Sequence, residues 1–119
     1  DSALHAPTLI DYATAEMKVV HEELFGPAVS VIEATDIDDA IRMANDSRFG
    51  LSAGVFTENI NLAMRFANEI ESGNIHINWG SQWRADGMPY GGLKESGLGK
   101  EGPRYTIEEM TESKMIVIH

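Results

Sequence analysis

The chain has no cysteine among its 119 residues. It therefore forms no disulfide, offers no thiolate ligand to a metal ion, and contains no cysteine nucleophile for covalent catalysis. Long hydrophobic runs are missing as well, because the longest, such as that at residues 115–118, have about four apolar residues. A helix that spans a membrane needs about 20 such residues. These absences predict a soluble globular protein, and the lack of cysteine fits a cytoplasmic one.

Positive charge is also scarce. Nine Lys and Arg residues stand against 19 Asp and Glu residues, which leaves a formal net charge of −10 at pH 7. Nucleic acids and anionic membranes attract proteins that carry clusters of Lys and Arg. The charge balance therefore argues against both as partners and otherwise indicates only solubility. The four histidines are scattered without ligand spacing, so we expect no metal site.

The first half of the chain predicts strands that alternate with a helix. Residues 28–32 are rich in β-branched side chains and follow Gly-Pro, which favours a strand, and residues 7–10 favour a short edge strand before it. Thr35 and Asp36 are typical of a helix N-cap. Apolar residues at spacings of three and four follow them, as in a helix with one buried face.

The pattern continues with strands expected at residues 51–56 and 74–79. Between them lies a helical pattern whose end we place before Gly73, at the C′ position. The complete order is β-α-β-α-β with short connections. This order predicts an α/β fold in which crossover helices join the strands of a parallel sheet.

The last part of the chain is a long glycine-rich loop followed by two short elements. The loop covers residues 80–100, and its length and aromatic residues favour a functional loop over a disordered one. Pro103 suits the first position of a short helix that ends near Met110. Residues 115–119 are typical of a terminal strand, either at the edge of the monomer or against another chain.

The first of two informative motifs is Glu22-Glu23-Leu24-Phe25-Gly26-Pro27. Gly-Pro forces a turn, and the ring immediately before it can pack inward or point into a cleft. A carboxylate in a loop that leads into a strand can accept hydrogen bonds from both hydroxyls of a ribose. The residues alone leave two interpretations open, which are solvated acids beside a packing ring and a contact to a nucleotide.

The second motif is Gly91-Gly92-Leu93-Lys94-Glu95-Ser96-Gly97-Leu98-Gly99. It lacks the spacing of a phosphate-binding loop, so its glycines more simply allow the backbone to pass closely over neighbouring strands. Upstream, Trp83 and Tyr90 flank a polar stretch that contains Arg84. Aromatic walls beside a cation suit a small substrate with a polar or anionic tail, although two rings packed under a loop would give the same pattern.

Taken in this order, with two βα units between them, the motifs resemble the C-terminal part of the aldehyde dehydrogenase superfamily. The resemblance extends from about residue 7 to the end of the chain. The sequence around Trp83 is most similar to that of the lactaldehyde and succinate-semialdehyde branches. It implies that residues 1–110 are part of the catalytic domain. It also implies that residues 111–119 provide a C-terminal strand that joins an intersubunit sheet in a homo-oligomer, a dimer or tetramer.

The resemblance also implies roles for single residues. Glu23 would bind the nicotinamide ribose of NAD or NADP, and Phe25 would contact the nicotinamide. The pocket for a small aldehyde would be lined by Asn78, Trp83, Arg84 and Tyr90. In this pocket Arg84 would face an acid group of the substrate. Asn78 lies at the end of a strand, where α/β sheets place their sites, although it could equally cap the turn there.

Family members oxidise aldehydes to carboxylic acids with NAD(P). A cysteine thiolate adds to the carbonyl, hydride passes to the cofactor, and a water activated by Glu hydrolyses the thioester. The resemblance places these catalytic groups upstream, so we assign no catalytic residue to this chain. We expect the chain alone to be inactive and to bind NAD(P) weakly or not at all. The alternatives are a free-standing, non-catalytic interaction module derived from such an enzyme and a small ligand-binding domain of flavodoxin-like appearance.

Overall fold

A computed structural model describes residues 3–119 of the chain. These residues form two compact units, one that ends at Ser47 and one that comprises Arg48–His119. Both units contain helices and strands, as expected for an α/β protein. None of the helices in residues 3–119 is long and apolar enough to cross a membrane.

The first unit contains β1 (Thr8–Ile10), α1 (Lys18–His21), β2 (Ala28–Ser30) and α2 (Ile37–Asn45). β1 and β2 are parallel, with Thr8 opposite Ala28. The pairing continues beyond the strands, since the Val31 N–H donates to the Ile10 carbonyl at 2.9 Å. The short strand at the start of the chain agrees with the expectation for residues 7–10.

α2 begins at the predicted N-cap, where side chains on both sides of the helix start accept backbone hydrogen bonds. The Asp36 carboxylate accepts a hydrogen bond from the Asp39 N–H at 2.8 Å, and the Asp39 carboxylate accepts one from the Thr35 N–H at 3.1 Å. Arg42 adds an ion pair to Asp39 at 2.6 Å. The Thr35 N–H and then the Arg42 guanidinium hold the pKa of Asp39 below its usual range. These bonds satisfy amides that the helix itself cannot pair, which stabilises its first turn.

The second unit contains β3 (Phe49–Gly50), β4 (Ser52–Val55), α3 (Ile60–Glu69), β5 (Asn74–Ile77), β6 (Leu93–Lys94) and α4 (Pro103–Met110). β4 and β5 are parallel, and the connection between them contains α3, which packs against β5. β3 and β6 are antiparallel. α3 starts at Asn59, whose side-chain oxygen accepts a hydrogen bond from the Asn61 N–H at 2.9 Å. α4 starts at Pro103, as expected.

The strands of the described residues form three two-stranded sheets rather than one continuous parallel sheet. The three pairs are β1–β2, β3–β6 and β4–β5. The crossover through α3 does join a parallel pair, as the sequence predicts. Periodicity identifies a strand but not its neighbour, and strands consecutive in the chain are neighbours in only about two-thirds of cases.

Residues 111–119 contain no strand within the described structure, although the sequence predicts one at residues 115–119. Their apolar side chains are open to solvent, with Met115 85% and Ile118 91% exposed. A strand is defined by hydrogen bonds to a neighbouring backbone, and no described strand pairs with this segment. Pairing with a second subunit therefore stays a prediction.

α3 ends earlier than expected, and Gly73 is not its C′ residue. The last helical residue is Glu69, and Ile70 is the C-cap. Gly73 lies instead where three backbone segments meet. Its N–H donates to the Gly50 carbonyl at 3.0 Å, and a Cβ at this position would overlap the Gly91 carbonyl oxygen. Glycine is required at this point by lack of space rather than by a left-handed backbone conformation.

The glycine-rich segment at residues 80–100 is anchored to the rest of the second unit by several hydrogen bonds. β6 pairs with β3. The Gly50 N–H donates to the Ser96 hydroxyl at 2.9 Å. Tyr90 and Glu101 exchange two backbone hydrogen bonds of 3.1 and 2.6 Å. The segment is therefore a closed loop with its own pairing.

The apolar core is small for the size of the chain. Its buried hydrophobic residues are Ala13, Ile41, Val55, Ala63 and Ile70. The chain exposes 9597 Å² to solvent. A compact monomer of this mass exposes about 6,400 Å², and two separately folded units of the observed lengths would expose about 7,700 Å² in total. Surface in such excess, with many apolar side chains on it, indicates faces that other chain segments or subunits cover.

Candidate functional site

The first unit presents a candidate cofactor site at the turn between α1 and β2. The Gly26 N–H donates to the Leu24 carbonyl at 2.9 Å, which closes a tight turn just before Pro27. Phe25, inside this turn, is 94% exposed. Glu23 is exposed as well, and its carboxylate has no hydrogen-bond or ion-pair partner among residues 3–119. An aromatic face and an unpaired carboxylate are therefore both available to a ligand.

The second unit contains a cluster of Arg84, Tyr90 and Glu101. The guanidinium carbon of Arg84 lies 4.5 Å from the centre of the Tyr90 ring, a cation–π arrangement. The Arg84 Nη1 donates to the Glu101 carboxylate at 2.9 Å. Tyr90 and Glu101 are themselves paired through their backbones. The acid group that Arg84 meets in this structure is thus Glu101, one residue beyond the glycine-rich loop.

Trp83 contacts a different residue, His76 on β5. The two rings meet edge to face, with centres 6.4 Å apart and an angle of 80° between their planes. Together with Trp79 they line an open cavity of about 260 Å³. The His76 Nε2 atom is buried and has no hydrogen-bond partner in the described part of the chain. Aromatic walls with one unsatisfied polar atom are typical of a small-molecule site.

Asn78 follows β5 in a left-handed backbone conformation, with φ of 56°. Asparagine tolerates this conformation better than most residues. Its side-chain oxygen accepts a hydrogen bond from the Thr57 N–H at 2.8 Å, and its amide group donates to the Thr57 carbonyl at 3.0 Å. Because Thr57 follows β4, the Asn78 amide joins the carboxyl ends of two parallel strands. Its assignment to the substrate pocket stays a prediction.

The structure therefore brings some of the predicted residues together and adds two others. Arg84 contacts Tyr90, whereas Trp83 contacts His76. The sequence did not indicate Glu101 or His76 as neighbours of these residues. Glu101 stands 17 positions after Arg84, and only the antiparallel bridge to Tyr90 makes it a neighbour. No group of three or more acidic or histidine side chains in the described residues could hold a metal ion.

Residues 1–116 match the family described as the aldehyde dehydrogenase family. The chain belongs to this family. The resemblance carried by the two motifs in the sequence is thereby confirmed.

Two curated relatives indicate the branch of the aldehyde dehydrogenase family. A 3-sulfolactaldehyde dehydrogenase from Priestia aryabhattai is 49% identical over 119 residues, which are 100% of this chain and 25% of that protein. A lactaldehyde dehydrogenase from Methanococcus vannielii is 50% identical over 97 residues, which are 82% of this chain and 21% of that protein. The predicted similarity to lactaldehyde dehydrogenases is confirmed. The chain spans a quarter or less of the length of these relatives.

Solved structures of aldehyde dehydrogenases match the fold. Aldehyde dehydrogenase 21 from Physcomitrella patens, in complex with the reaction product succinate, matches 99% of this chain and 24% of its own, with a TM-score of 0.92 and 35% identity. A glyceraldehyde-3-phosphate dehydrogenase from Methanocaldococcus jannaschii, complexed with NADP, matches 92% of this chain and 24% of its own, with a TM-score of 0.86 and 38% identity. An aldehyde dehydrogenase from Mycobacterium tuberculosis, complexed with NAD+, matches 89% of this chain and 22% of its own, with a TM-score of 0.82 and 34% identity. Two of these three neighbours thus hold NADP or NAD+, the cofactors expected in a full-length enzyme.

Proposed function

We propose that this chain is the C-terminal portion of an NAD(P)-dependent aldehyde dehydrogenase that oxidises an aldehyde to a carboxylic acid. The observation that carries the proposal is the exposed pair of Glu23 and Phe25 in a chain that matches the family over residues 1–116. The thiolate nucleophile must come from another part of the enzyme, because this chain has no cysteine.

The role of Glu23 and Phe25 follows from their chemistry. An ionised carboxylate accepts two hydrogen bonds at once, so Glu23 suits the two neighbouring hydroxyls of the nicotinamide ribose. The Phe25 ring offers a flat apolar face to the nicotinamide and would exclude water there. When bound, NAD(P)+ supplies the hydride acceptor. Glu23 and Phe25 would hold and orient it without taking part in bond breaking.

Replacing Glu23 by alanine in the full-length enzyme should raise the KM for NAD(P)+ by about tenfold or more. A hydrogen bond to a charged group contributes about 1.5–3 kcal/mol, and each 1.4 kcal/mol is a factor of about ten in binding. Steady-state kinetics with varied cofactor measures the change.

The neighbouring residue provides a matched control. Glu22 is also an exposed glutamate, so Glu22→Ala removes the same charge from the same surface. Its KM for the cofactor should stay within about twofold of the unmodified enzyme, since a surface charge alone has a small effect. Equal changes in both variants would contradict a specific role for Glu23.

We infer that the substrate is a short aldehyde whose tail is polar or anionic. Trp83, Tyr90 and Asn78 would form the walls of its pocket, and Arg84 would bind the tail. The names of the similar proteins support this inference, since they include a 3-sulfolactaldehyde dehydrogenase and an enzyme in complex with succinate. A guanidinium group binds sulfonate and carboxylate alike through parallel N–H donors.

The C-terminal segment, residues 111–119, is proposed as a strand that pairs with a second subunit. Its apolar side chains are exposed, and the total exposed area far exceeds that of a compact protein. Both observations support a covering partner. The same exposed segment would favour the alternative of a free-standing interaction module. The proposed location is cytoplasmic.

Replacing Val117 by proline should weaken this pairing by about tenfold or more, because proline has no N–H and cannot take part in a strand ladder. Light scattering of the full-length enzyme should then give a smaller mass than for the unmodified protein. Val117→Thr keeps the backbone N–H and a β-branched side chain, so it should leave the mass unchanged. An unchanged mass for the proline variant would argue against the intersubunit strand.

A further inference from the structure

We propose that Glu101 is a positioning residue that orients Arg84 for the anionic tail of the substrate, an inference that rests on the proposed function. Arg84 has a long side chain that is 41% exposed, and such a chain samples many rotamers unless contacts restrict it. Here the guanidinium is held against the Tyr90 ring at 4.5 Å and bonded to the Glu101 carboxylate at 2.9 Å. These two contacts restrict the rotamers that Arg84 can adopt.

The backbone explains why Glu101 can do this. Tyr90 and Glu101 form an antiparallel bridge with hydrogen bonds of 3.1 and 2.6 Å in the two directions. The ring and the carboxylate that hold Arg84 therefore come from directly paired residues. Because this bridge also closes the glycine-rich loop, the backbone holds Tyr90 and Glu101 side by side.

The geometry leaves donors for a ligand. Only Nη1 of Arg84 is bonded to Glu101 within residues 3–119. A guanidinium has five N–H donors in a planar fork, so its remaining edge can receive a carboxylate or sulfonate while Glu101 stays bound. The Glu101 side chain is 67% exposed, so the ion pair contributes little to stability. Its effect is to choose the orientation of the guanidinium.

The opposite role for Glu101 makes the opposite prediction. If its carboxylate competed with the substrate for Arg84, removing it would improve the binding of an anionic aldehyde. If it positions Arg84, removing it should impair the binding of an anionic aldehyde and leave a neutral one unaffected. The sign of the change in preference between two aldehydes therefore separates the two roles.

The test uses the full-length enzyme with two aldehydes of similar length, succinic semialdehyde as the anionic probe and pentanal as the neutral one. The readout is the ratio of kcat/KM for the two aldehydes, because an effect on the common chemical steps cancels in this ratio. Glu101→Ala should lower the preference for succinic semialdehyde by about tenfold. Glu101→Gln keeps an oxygen acceptor for Nη1 and should restore most of the preference.

A double-mutant cycle completes the test. Arg84→Met should abolish the preference, and adding Glu101→Ala to it should change the ratio no further, since a positioning residue has no effect without its target. A raised preference in both Glu101 variants would overturn the proposal in favour of competition. An unchanged ratio, or a further loss in the Arg84→Met background, would also overturn it. An unmodified enzyme that oxidises neither aldehyde would instead contradict the proposed function.

The backbone bridge between Tyr90 and Glu101 should keep the side-chain variants folded. It uses only main-chain atoms of Tyr90 and Glu101, so the side-chain variants retain it. Thermal unfolding of each variant should give a Tm close to that of the unmodified enzyme. If Glu101→Ala lowered the Tm strongly and impaired both aldehydes equally, the residue would be structural and the proposal wrong.

Discussion

The purified 119-residue chain, mixed with NAD+ or NADP+ and a panel of aldehydes, is expected to reduce no cofactor above the buffer background. Without a cysteine no thiohemiacetal forms, so the hydride has no activated donor. Loss of a covalent nucleophile typically costs several orders of magnitude in kcat. This is the largest effect expected for the protein, and cofactor absorbance at a high concentration of the chain measures it.

The control is the full-length enzyme under the same conditions, which should show turnover. Turnover by the chain alone would contradict the absence of catalytic residues from it. An inactive full-length protein that nevertheless assembles through residues 111–119 would favour the interaction module. Turnover and assembly of the full-length protein therefore distinguish a segment of an enzyme from a derived interaction module.

Replacing Gly73 by alanine should lower the free energy of unfolding by about 3 kcal/mol. The added Cβ would overlap the Gly91 carbonyl oxygen, and that atom belongs to the backbone, so it cannot rotate away as a flexible side chain would. The strain would fall where the segment between α3 and β5 meets the glycine-rich loop. Urea-induced unfolding of the full-length enzyme, followed by a probe in the second unit, measures the change.

Gly87 gives a matched control, because a Cβ built there meets nothing within 4 Å. Gly87→Ala should therefore stay within about 0.5 kcal/mol of the unmodified protein, or stabilise it slightly through a less flexible unfolded state. If both substitutions had the same effect, crowding against the Gly91 carbonyl oxygen would contribute nothing to the change in stability at Gly73. The close approach of Gly73 to the Gly91 carbonyl oxygen would then not explain the measured change.

Local structure was largely predictable from the sequence. The cap at Thr35 and Asp36 and the helix that begins at Pro103 appear where their residue types predict them. Each depends on contacts within a few residues, which a local pattern contains. Family membership also followed from short motifs, because they combine turn residues with functional side chains in a fixed order.

Contacts between distant residues were not predictable in the same way. The role of Gly73 was misassigned because a glycine near a helix end has the same local pattern whether it ends the helix or makes room for a distant carbonyl. The pairing of β1 with β2, of β3 with β6 and of β4 with β5 was likewise not contained in the local pattern. Residues 115–119 have the pattern of a strand, but a pattern cannot supply the neighbouring backbone that a strand requires.

The candidate site shows the same division. Arg84 and Tyr90 were predicted as pocket residues from the resemblance to the family. Glu101 was not, since its contact with Arg84 spans 17 residues and depends on the backbone bridge to Tyr90. The sequence by itself determined the α/β class and the family, because these depend on local patterns and short motifs. The tertiary structure decided which strands pair, which glycine lacks space and which acid meets Arg84, because each of these is a distance between residues far apart in the chain.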